Sequence, residues 1–243
     1  KIRAIMPVHV LGNMCDMNHI NLLAEKYHLI IIEDAAEAMG SIYDGKHAGV
    51  NGDIGCFSFN GNKIITCGGG GMIVTDDEQT ARNAKHLTTQ AKVSPFEYFH
   101  DEIGYNYRLV NVLAAIGIAQ LEQLPKFLKK KLEIKDKYIT GLQSIGEIKF
   151  QKIANLTLPN WWLFTIQTVH KKILLDSLNE NHFQSRPLWV PVNRLPKYKK
   201  NEYVSNNDVS KRLYDSCLSL PCSTNITMEE IESVIDLIIK TVT

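Results

Sequence analysis

Residues 53–75 read DIGCFSFNGNKIITCGGGGMIVT and contain a single lysine, Lys63. This lysine stands in a polar turn with glycine, between an apolar run that ends near Phe59 and a second one that begins at Met72. Apolar runs of this length predict buried strands. An amine held among backbone amides at the end of buried strands loses hydration, which lowers its pKa from the free value of about 10.4. We therefore expect Lys63 to be a nucleophile toward carbonyls, although a single turn lysine is more often a solvated one.

The same turn predicts a seat for an anion. Ser58 stands five residues before Lys63, so its hydroxyl can point into the same pocket. The backbone N–H groups of residues 58–62 can form a concave nest that binds phosphate. A phosphate seat beside a reactive amine is the expected result.

A second apolar run, LIIIED at residues 29–34, predicts a strand that is buried on both faces and ends in carboxylates. Ligands of open α/β sheets bind beyond the carboxyl ends of the strands, so Asp34 is expected to share a pocket with Lys63. A carboxylate for the pyridine nitrogen, a lysine for the aldehyde and a phosphate seat are the contacts that pyridoxal phosphate requires. None of the three is diagnostic alone.

Several longer strings resemble the DegT/DnrJ/EryC1/StrS family of sugar-nucleotide aminotransferases. They are EDAAEAMGS (33–41), GDIGCFSFNGNKIITCGGGGMIVT (52–75), EIGYNYRLVNVLAAIGIAQLEQL (102–124), QSRPLW (184–189) and LPCSTNIT (220–227). Within the family, FNGNKIIT, TTQAK (88–92) and SRPLW are similar to enzymes of the legionaminic acid and bacillosamine pathways. The resemblance implies amination at C4 of a UDP-linked 4-keto-6-deoxy-N-acetylhexosamine, with glutamate as the amino donor.

The resemblance also implies the fold, which is an α/β, fold-type I pyridoxal-phosphate transferase like aspartate aminotransferase. The hydrophobic pattern changes after Pro125, so residues 1–125 are expected to be part of the large cofactor-binding domain and residues 126–243 the small α/β domain. The sequence opens on a strand-like segment without an initiator methionine. We therefore expect an N-terminal half-domain of the family, with a Gly-Thr phosphate contact and an aromatic ring over the pyridoxal, to be missing.

Residue roles follow from the same resemblance. Lys63 holds the cofactor, Asp34 pairs with its pyridine nitrogen, and Ser58 contacts its phosphate. Glu37 lies near the 3-oxygen, or else is a carboxylate in the first turn of a helix. Asn106 reaches the phosphate of the cofactor bound by the other subunit, which implies a homodimer with shared active sites, or else forms an Asx-turn that caps the next helix.

Two further residues are assigned to the substrate. Arg186 in the SRPLW element is expected to contact the sugar nucleotide, with a structural salt bridge as the alternative; Arg108 is a weaker candidate for the subunit interface. His47 in the turn-rich segment 41–52 is expected at the surface or at the substrate rim. No second histidine or cysteine stands at ligand spacing from it, so no metal site is predicted.

Composition excludes several other classes. A net charge of +1 with 44% hydrophobic and 22% charged residues is typical of a soluble globular protein, with no reason to expect nucleic acid or a membrane surface as a partner. The five cysteines form no CxxC pair, which indicates reduced thiols in the cytoplasm. The glycines at 68–71 lack GxxxxGK[ST] and lead into a strand, so they do not form a P-loop.

The remaining pattern predicts six helices, which are residues 18–27, 77–90, 109–124, 126–144, 171–182 and 227–239. The helix at 109–124 is apolar enough to be buried on most of its surface. An alternative function is open, in which the chain is a truncated, non-catalytic relative kept as an oligomerisation or binding module. A sugar 3-dehydratase of the same family is disfavoured, since those enzymes have histidine where Lys63 stands.

Overall fold

The computed structural model describes residues 2–242, which form two compact units. The first unit contains the chain up to Lys129 together with residues 153–162, and the second contains residues 130–152 and the chain from Leu163 onward. The sequence predicted one boundary, after residue 125. The structure differs because residues 153–162 return to the first unit, where Thr157–Leu158 pairs with Ile42–Tyr43.

The first unit is built on a four-stranded sheet. Its strands are β1 (Ala4–Ile5), β2 (Ile30–Asp34), β5 (Ile54–Ser58) and β6 (Gly71–Val74), in the order β1-β2-β5-β6. The first three are parallel and β6 is antiparallel to β5. A second sheet has the order β4-β3-β8 and consists of β3 (Ile42–Tyr43), β4 (Lys46–His47) and β8 (Thr157–Leu158). The helices are α1 (Met17–Tyr27), α2 (Glu78–Thr88), α3 (Asn111–Glu122) and α4 (Leu124–Leu142), which continues into the second unit.

Helix α1 connects the parallel strands β1 and β2. It begins at Asp16, whose side chain accepts a hydrogen bond from the main-chain N–H of His19 at 3.1 Å. It ends at His28, which takes a left-handed conformation with φ 53°. Met17 and Ala24 on its inner face pack in a buried cluster that includes Ile31 of β2.

The prediction that β2 is buried on both faces was wrong for this chain. Burial alternates along the strand, with Ile31 and Glu33 buried and Ile30 51% exposed. Successive side chains of a strand point to opposite faces, and only the face that carries Ile31 belongs to the core cluster with α1. Glu33 points to the same face as Ile31, and Asp34 to the opposite one.

Helix α3 is shorter and more exposed than predicted. It runs from Asn111 to Glu122, and none of its residues is buried, with Val112 71% exposed. Leu113 packs partly against a small cluster of Phe59, Ile65 and Cys67, so the helix is covered along one side only. Pro125 does not interrupt the helix, because it lies in the first turn of α4. The main-chain N–H groups of a first turn have no partner within the helix, so none is lost there.

The second unit contains a four-stranded antiparallel sheet with the order β10-β11-β9-β7. Its strands and helices are β7 (Lys149–Phe150), β9 (Phe164–Gln167), α5 (Lys171–Glu180), β10 (Arg186–Pro187), α6 (Val209–Ser216), β11 (Cys217–Leu220) and α7 (Met228–Val242). A capping box closes the start of α7. The Thr227 hydroxyl accepts from Glu230 N, and a Glu230 carboxylate oxygen accepts from Thr227 N.

Between residues 2 and 242, the structure contains no helix that is both long and apolar enough to cross a membrane.

Candidate active site

The candidate site lies where β2 and β5 end. Asp34, the last residue of β2, is in register with Cys56 of β5, and Ser58 ends β5 two residues later. Because the two strands are parallel, Asp34 and Ser58 leave the sheet at the same edge. Lys63 follows in the turn that leads from β5 to β6.

The turn that carries Lys63 is fixed by its apolar neighbours. Phe59 before the lysine and Ile65 after it are buried in one cluster with Cys67. The Thr66 hydroxyl donates to the carbonyl oxygen of Phe59 at 2.9 Å, which closes the turn. The main-chain N–H of Lys63 donates to the carbonyl oxygen of Asn60 at 3.0 Å. The lysine side chain is therefore half-buried on a well-anchored segment.

Lys63 interacts electrostatically with two carboxylates. Burial lowers the pKa of the Lys63 amine, and the negative charges of Glu37 and Asp34 act in the opposite direction. Burial raises the pKa of Glu37, while a hydrogen bond from the N–H of Leu11 at 2.7 Å and the charge of Lys63 oppose that rise. The structure thus brings together the three residues that the sequence placed around a cofactor, and their roles toward it stay predictions.

Asp34 has a rigid main chain and one uncommitted carboxylate oxygen. Its N–H donates to the carbonyl of Pro7 at 2.9 Å, and its carbonyl accepts from the N–H of His9 at 3.1 Å. Oδ1 accepts from the N–H of Ala36 at 3.1 Å, and no residue between 2 and 242 donates a hydrogen bond to Oδ2. A protonated ring nitrogen is a donor that suits this oxygen, so the carboxylate fits pyridoxal phosphate.

Glu37 lies in a turn between β2 and β3, so its alternative interpretation as a carboxylate in the first turn of a helix was wrong. Its carboxylate is held by Leu11, and its carbonyl oxygen accepts from the side-chain amide of Asn160 at 2.8 Å. These contacts fix Glu37 from two distant parts of the chain.

The predicted phosphate nest is partly closed by the chain itself. The N–H of Phe59 donates to the carbonyl of Gly70 at 3.0 Å, and the N–H of Asn60 donates to the Ser58 hydroxyl at 3.3 Å. Two of the N–H groups assigned to the nest are therefore engaged. The hydroxyl of Ser58 remains the candidate phosphate contact of this segment, since its proton can be donated outward.

A buried pair beside the site was not predicted. His9 Nε2 lies 2.8 Å from Glu33 Oε2, and both side chains are fully buried. Glu33 also accepts hydrogen bonds from the main-chain N–H groups of residues 49, 51 and 52. Burial opposes the ionisation of Glu33, but these donors hold its pKa below its usual range. Strand alternation in residues 29–34, which sends the side chain of Glu33 inward, was the signal that could have revealed it.

Residues 160–162 also reach the site, which the sequence analysis missed because it assigned them to the small domain. Trp162 lies with its ring centroid 4.1 Å from Nζ of Lys63. The side-chain amide of Asn160 bridges the carbonyl oxygens of Glu37 and Met39. Gly12 makes room for Asn160, since it has φ +78° and a Cβ there would lie 1.8 Å from Asn160 Oδ1.

The other predicted residues are exposed, and they lie on β4, on the segment before α3 and in the second unit. Asn106 is exposed, and it does not cap α3, because the N-cap is Val110 and no side chain caps the helix; the Asx-cap alternative was wrong. Arg108 lines a pocket of about 430 Å³ together with residues 109–112. His47 is exposed on β4. Arg186 is exposed on β10 of the second unit and forms no ion pair with the carboxylates of residues 2–242, so its salt-bridge alternative has no support.

Comparison with known proteins identifies the same family as the sequence motifs. The model of the DegT/DnrJ/EryC1/StrS aminotransferase family matches residues 1–239. EpsN of Bacillus subtilis, a putative pyridoxal phosphate-dependent aminotransferase, is 36% identical over 98% of this chain and 63% of its own length. GDP-perosamine synthase of Escherichia coli O157:H7 is 38% identical over 95% of this chain and 63% of its own length.

A solved structure extends the likeness to the fold. DesV of S. venezuelae superposes with a TM-score of 0.89 at 29% identity, covering 98% of this chain and 64% of that protein. The predicted fold-type I architecture is confirmed. The chain spans a little under two thirds of the length of these relatives.

Proposed function

Since the chain belongs to the DegT/DnrJ/EryC1/StrS aminotransferase family, we propose that it carries out the pyridoxal-phosphate-dependent transfer of an amino group to a nucleotide-linked keto sugar. The amino donor is glutamate. The acceptor is C4 of a 4-keto-6-deoxy-N-acetylhexosamine in bacterial surface-polysaccharide or nonulosonic acid biosynthesis. The enzyme acts in the cytoplasm.

One observation carries this proposal, which is the electrostatic interaction of a half-buried Lys63 amine with the carboxylates of Asp34 and Glu37. When bound, pyridoxal phosphate supplies an aldehyde that receives the amino group and a ring that accepts electrons. The chain contributes the rest. Asp34 keeps a proton on the ring nitrogen, Glu37 lies near the 3-oxygen, and Ser58 donates to the phosphate.

Lys63 has two tasks in this arrangement. Its amine first holds the cofactor covalently, and burial supports this task because it lowers the pKa and so increases the neutral, nucleophilic fraction. Once released, the same amine would be the general base for the 1,3-proton shift, taking the proton from the carbon that bears nitrogen and delivering it to the carbon at the other end of the C=N unit. The charges of the two carboxylates favour the protonated amine and so oppose the effect of burial on its pKa.

The nucleotide is the least determined part of the substrate. The sequence motifs resemble enzymes that use UDP-linked sugars, whereas one relative is named for a GDP-linked product. His47 and Arg186 are our candidates for contacts to this substrate.

A panel of UDP- and GDP-linked 4-keto sugars, with and without an N-acetyl group, tests the proposal when it is incubated with pyridoxal phosphate and glutamate. We expect mass spectrometry to show an amine in place of the ketone in the UDP-linked N-acetylated sugar. Amination of the GDP-linked sugars alone would overturn the proposed substrate, but it would support the proposed aminotransferase activity. A chain that takes up no cofactor and aminates none of them would instead be the non-catalytic binding module.

The working unit that we propose is a homodimer in which each site takes residues from both subunits. Asn106 is exposed and follows a loop whose aromatic side chains are also exposed, with Phe96 at 93% and Tyr98 at 94%. Val112, Ile116, Ile118 and Leu121 of α3 are exposed as well. A second copy that covers this surface would bring Asn106 to the phosphate of the partner's cofactor in an isologous interface.

Mixing two inactive variants tests the shared site. When Lys63→Ala and Asn106→Ala subunits exchange freely, about half of the dimers are mixed and each of these has one intact site, so about a quarter of the wild-type activity should return. A mixture of Lys63→Ala with Asp34→Asn is the matched control. It should regain nothing, because both of those residues serve the same subunit's site. No recovery in the first mixture, with exchange verified by mass spectrometry, would show that Asn106 serves its own chain.

A further inference from the structure

We propose that Trp162 is a positioning residue for Lys63, whose indole face holds the free ammonium and whose N–H fixes the turn that carries it. The consequence for catalysis rests on the function proposed above. Trp162 lies ninety-nine residues beyond Lys63 in the chain, within the segment that returns to the first unit.

The amine of Lys63 lies close to the ring of Trp162. Nζ of Lys63 lies 4.1 Å from the centroid of the Trp162 ring, well inside the range of about 6 Å over which an aromatic face attracts a cation. Tryptophan has the most favourable ring for this interaction. Trp162 is only 2% exposed and the Lys63 side chain is half-buried, so the ring itself is shielded from water and the amine is shielded in part.

The same side chain also makes a hydrogen bond to the turn. Nε1 of Trp162 donates to the carbonyl oxygen of Asn62 at 2.7 Å, and Asn62 directly precedes Lys63. One side chain therefore holds both the main chain of the turn and the end of the lysine. A tryptophan that only filled space would need neither contact.

A chain of hydrogen bonds holds Trp162 itself in place. Its main-chain N–H donates to Asn160 Oδ1 at 2.9 Å. The main-chain N–H of Asn160 donates in turn to the Ser41 hydroxyl at 3.0 Å, and that hydroxyl donates to the carbonyl of Gly12 at 2.7 Å. Trp162 is thus tied to β3 and to the segment after β1, and its ring has a fixed support.

These contacts give the ring a definite effect on the chemistry of Lys63. The ring attracts the ammonium and not the neutral amine, so it favours the protonated state, as Glu37 and Asp34 do. Burial has the opposite effect on the pKa of Lys63. The indole therefore raises the pH above which Lys63 can attack a carbonyl, and it keeps the amine in one place while it is free.

The test measures the titration of Lys63 in the chain without cofactor. Lys63 is acetylated with a trace of acetic anhydride over a series of pH values, and the extent is read from its peptide by mass spectrometry, with exposed Lys46 as the internal reference. Fluorinated tryptophans are placed at residue 162 alone. They keep the shape and the N–H, while each fluorine withdraws electrons from the ring face and weakens its attraction for a cation.

We expect the midpoint of Lys63 acetylation to fall stepwise with the number of fluorines, by about one pH unit for the most fluorinated ring. Trp162→Leu, which keeps apolar bulk and removes the ring, should give a fall at least as large. Trp162→Phe keeps a ring but loses the N–H donor, and it should lie between wild type and leucine. An unchanged midpoint in the fluorinated series, or a rise, would overturn the proposal, because the ring would then only exclude water.

The fluorinated series does not depend on whether the leucine variant folds, since it keeps the packed ring and adds little volume to it. It also separates this proposal from the proposed function. A chain that takes up no pyridoxal phosphate but shows the stepwise fall keeps the role of Trp162 and loses the aminotransferase activity. A chain that binds the cofactor covalently but shows an unchanged midpoint of Lys63 acetylation keeps the proposed function and loses the role of Trp162.

Discussion

Replacing Lys63 by alanine is expected to abolish the covalent attachment of pyridoxal phosphate and to reduce turnover by at least about 10³-fold, because one amine serves as both anchor and proton carrier. Lys63 is the sole lysine between β5 and β6, so no neighbour in the turn can replace it. The measurement is reduction with borohydride, followed by digestion and mass spectrometry of the peptide that contains residue 63.

Two controls sharpen this experiment. Lys63→Arg keeps a positive charge that can rest on the Trp162 ring, but a guanidinium does not condense with an aldehyde, so attachment should be lost while the fold is kept. Lys46→Ala removes an exposed lysine of β4 and should change neither attachment nor turnover. Covalent cofactor in the reduced Lys63→Ala variant would show that another amine is the anchor.

Asp34→Asn is expected to reduce turnover by at least about 10²-fold while it leaves covalent attachment through Lys63 intact. Asparagine keeps the shape of the side chain, and its amide oxygen can still accept from the N–H of Ala36. The expected fall in turnover therefore comes from the lost negative charge, since a neutral amide does not keep the ring nitrogen protonated. Single-turnover kinetics with the fully loaded variant measure the effect without interference from cofactor binding.

Asp44→Asn is the matched control for this substitution. Asp44 is exposed, with φ 48°, a left-handed conformation that asparagine also adopts readily. Turnover of this variant should equal that of the wild type. Near-full activity of Asp34→Asn would remove Asp34 from the role that we assign to it.

The parts of the site that could be predicted from sequence are those set by local patterns. Apolar runs that end in Asp34 and near Phe59 predict strands, and parallel strands present their carboxyl ends at one edge, so the meeting of Asp34 with the Lys63 turn follows from pattern and topology. The role of Glu37 was predicted from family resemblance, and the structure places this residue in a turn and not in the first turn of a helix.

Contacts between distant segments could not be predicted in this way. Strand alternation predicts that Glu33 points inward, but it does not predict that His9 meets Glu33 or that Trp162 approaches Lys63, because both contacts depend on how elements pack. The exposure of α3 could not be predicted for a similar reason. Its apolar composition predicted burial, but composition does not say whether the covering surface belongs to the same chain.

The return of residues 153–162 to the first unit has a consequence for synthesis on the ribosome. Trp162 lies thirty-three residues after Lys129. At ordinary elongation rates, the ribosome therefore completes the last segment of the first unit about 2–7 s after it adds Lys129. During that interval Glu37 lacks its partner Asn160, and the lysine turn lacks the indole that holds it. The nascent first unit therefore remains open at its reactive edge until part of the second unit has already been made.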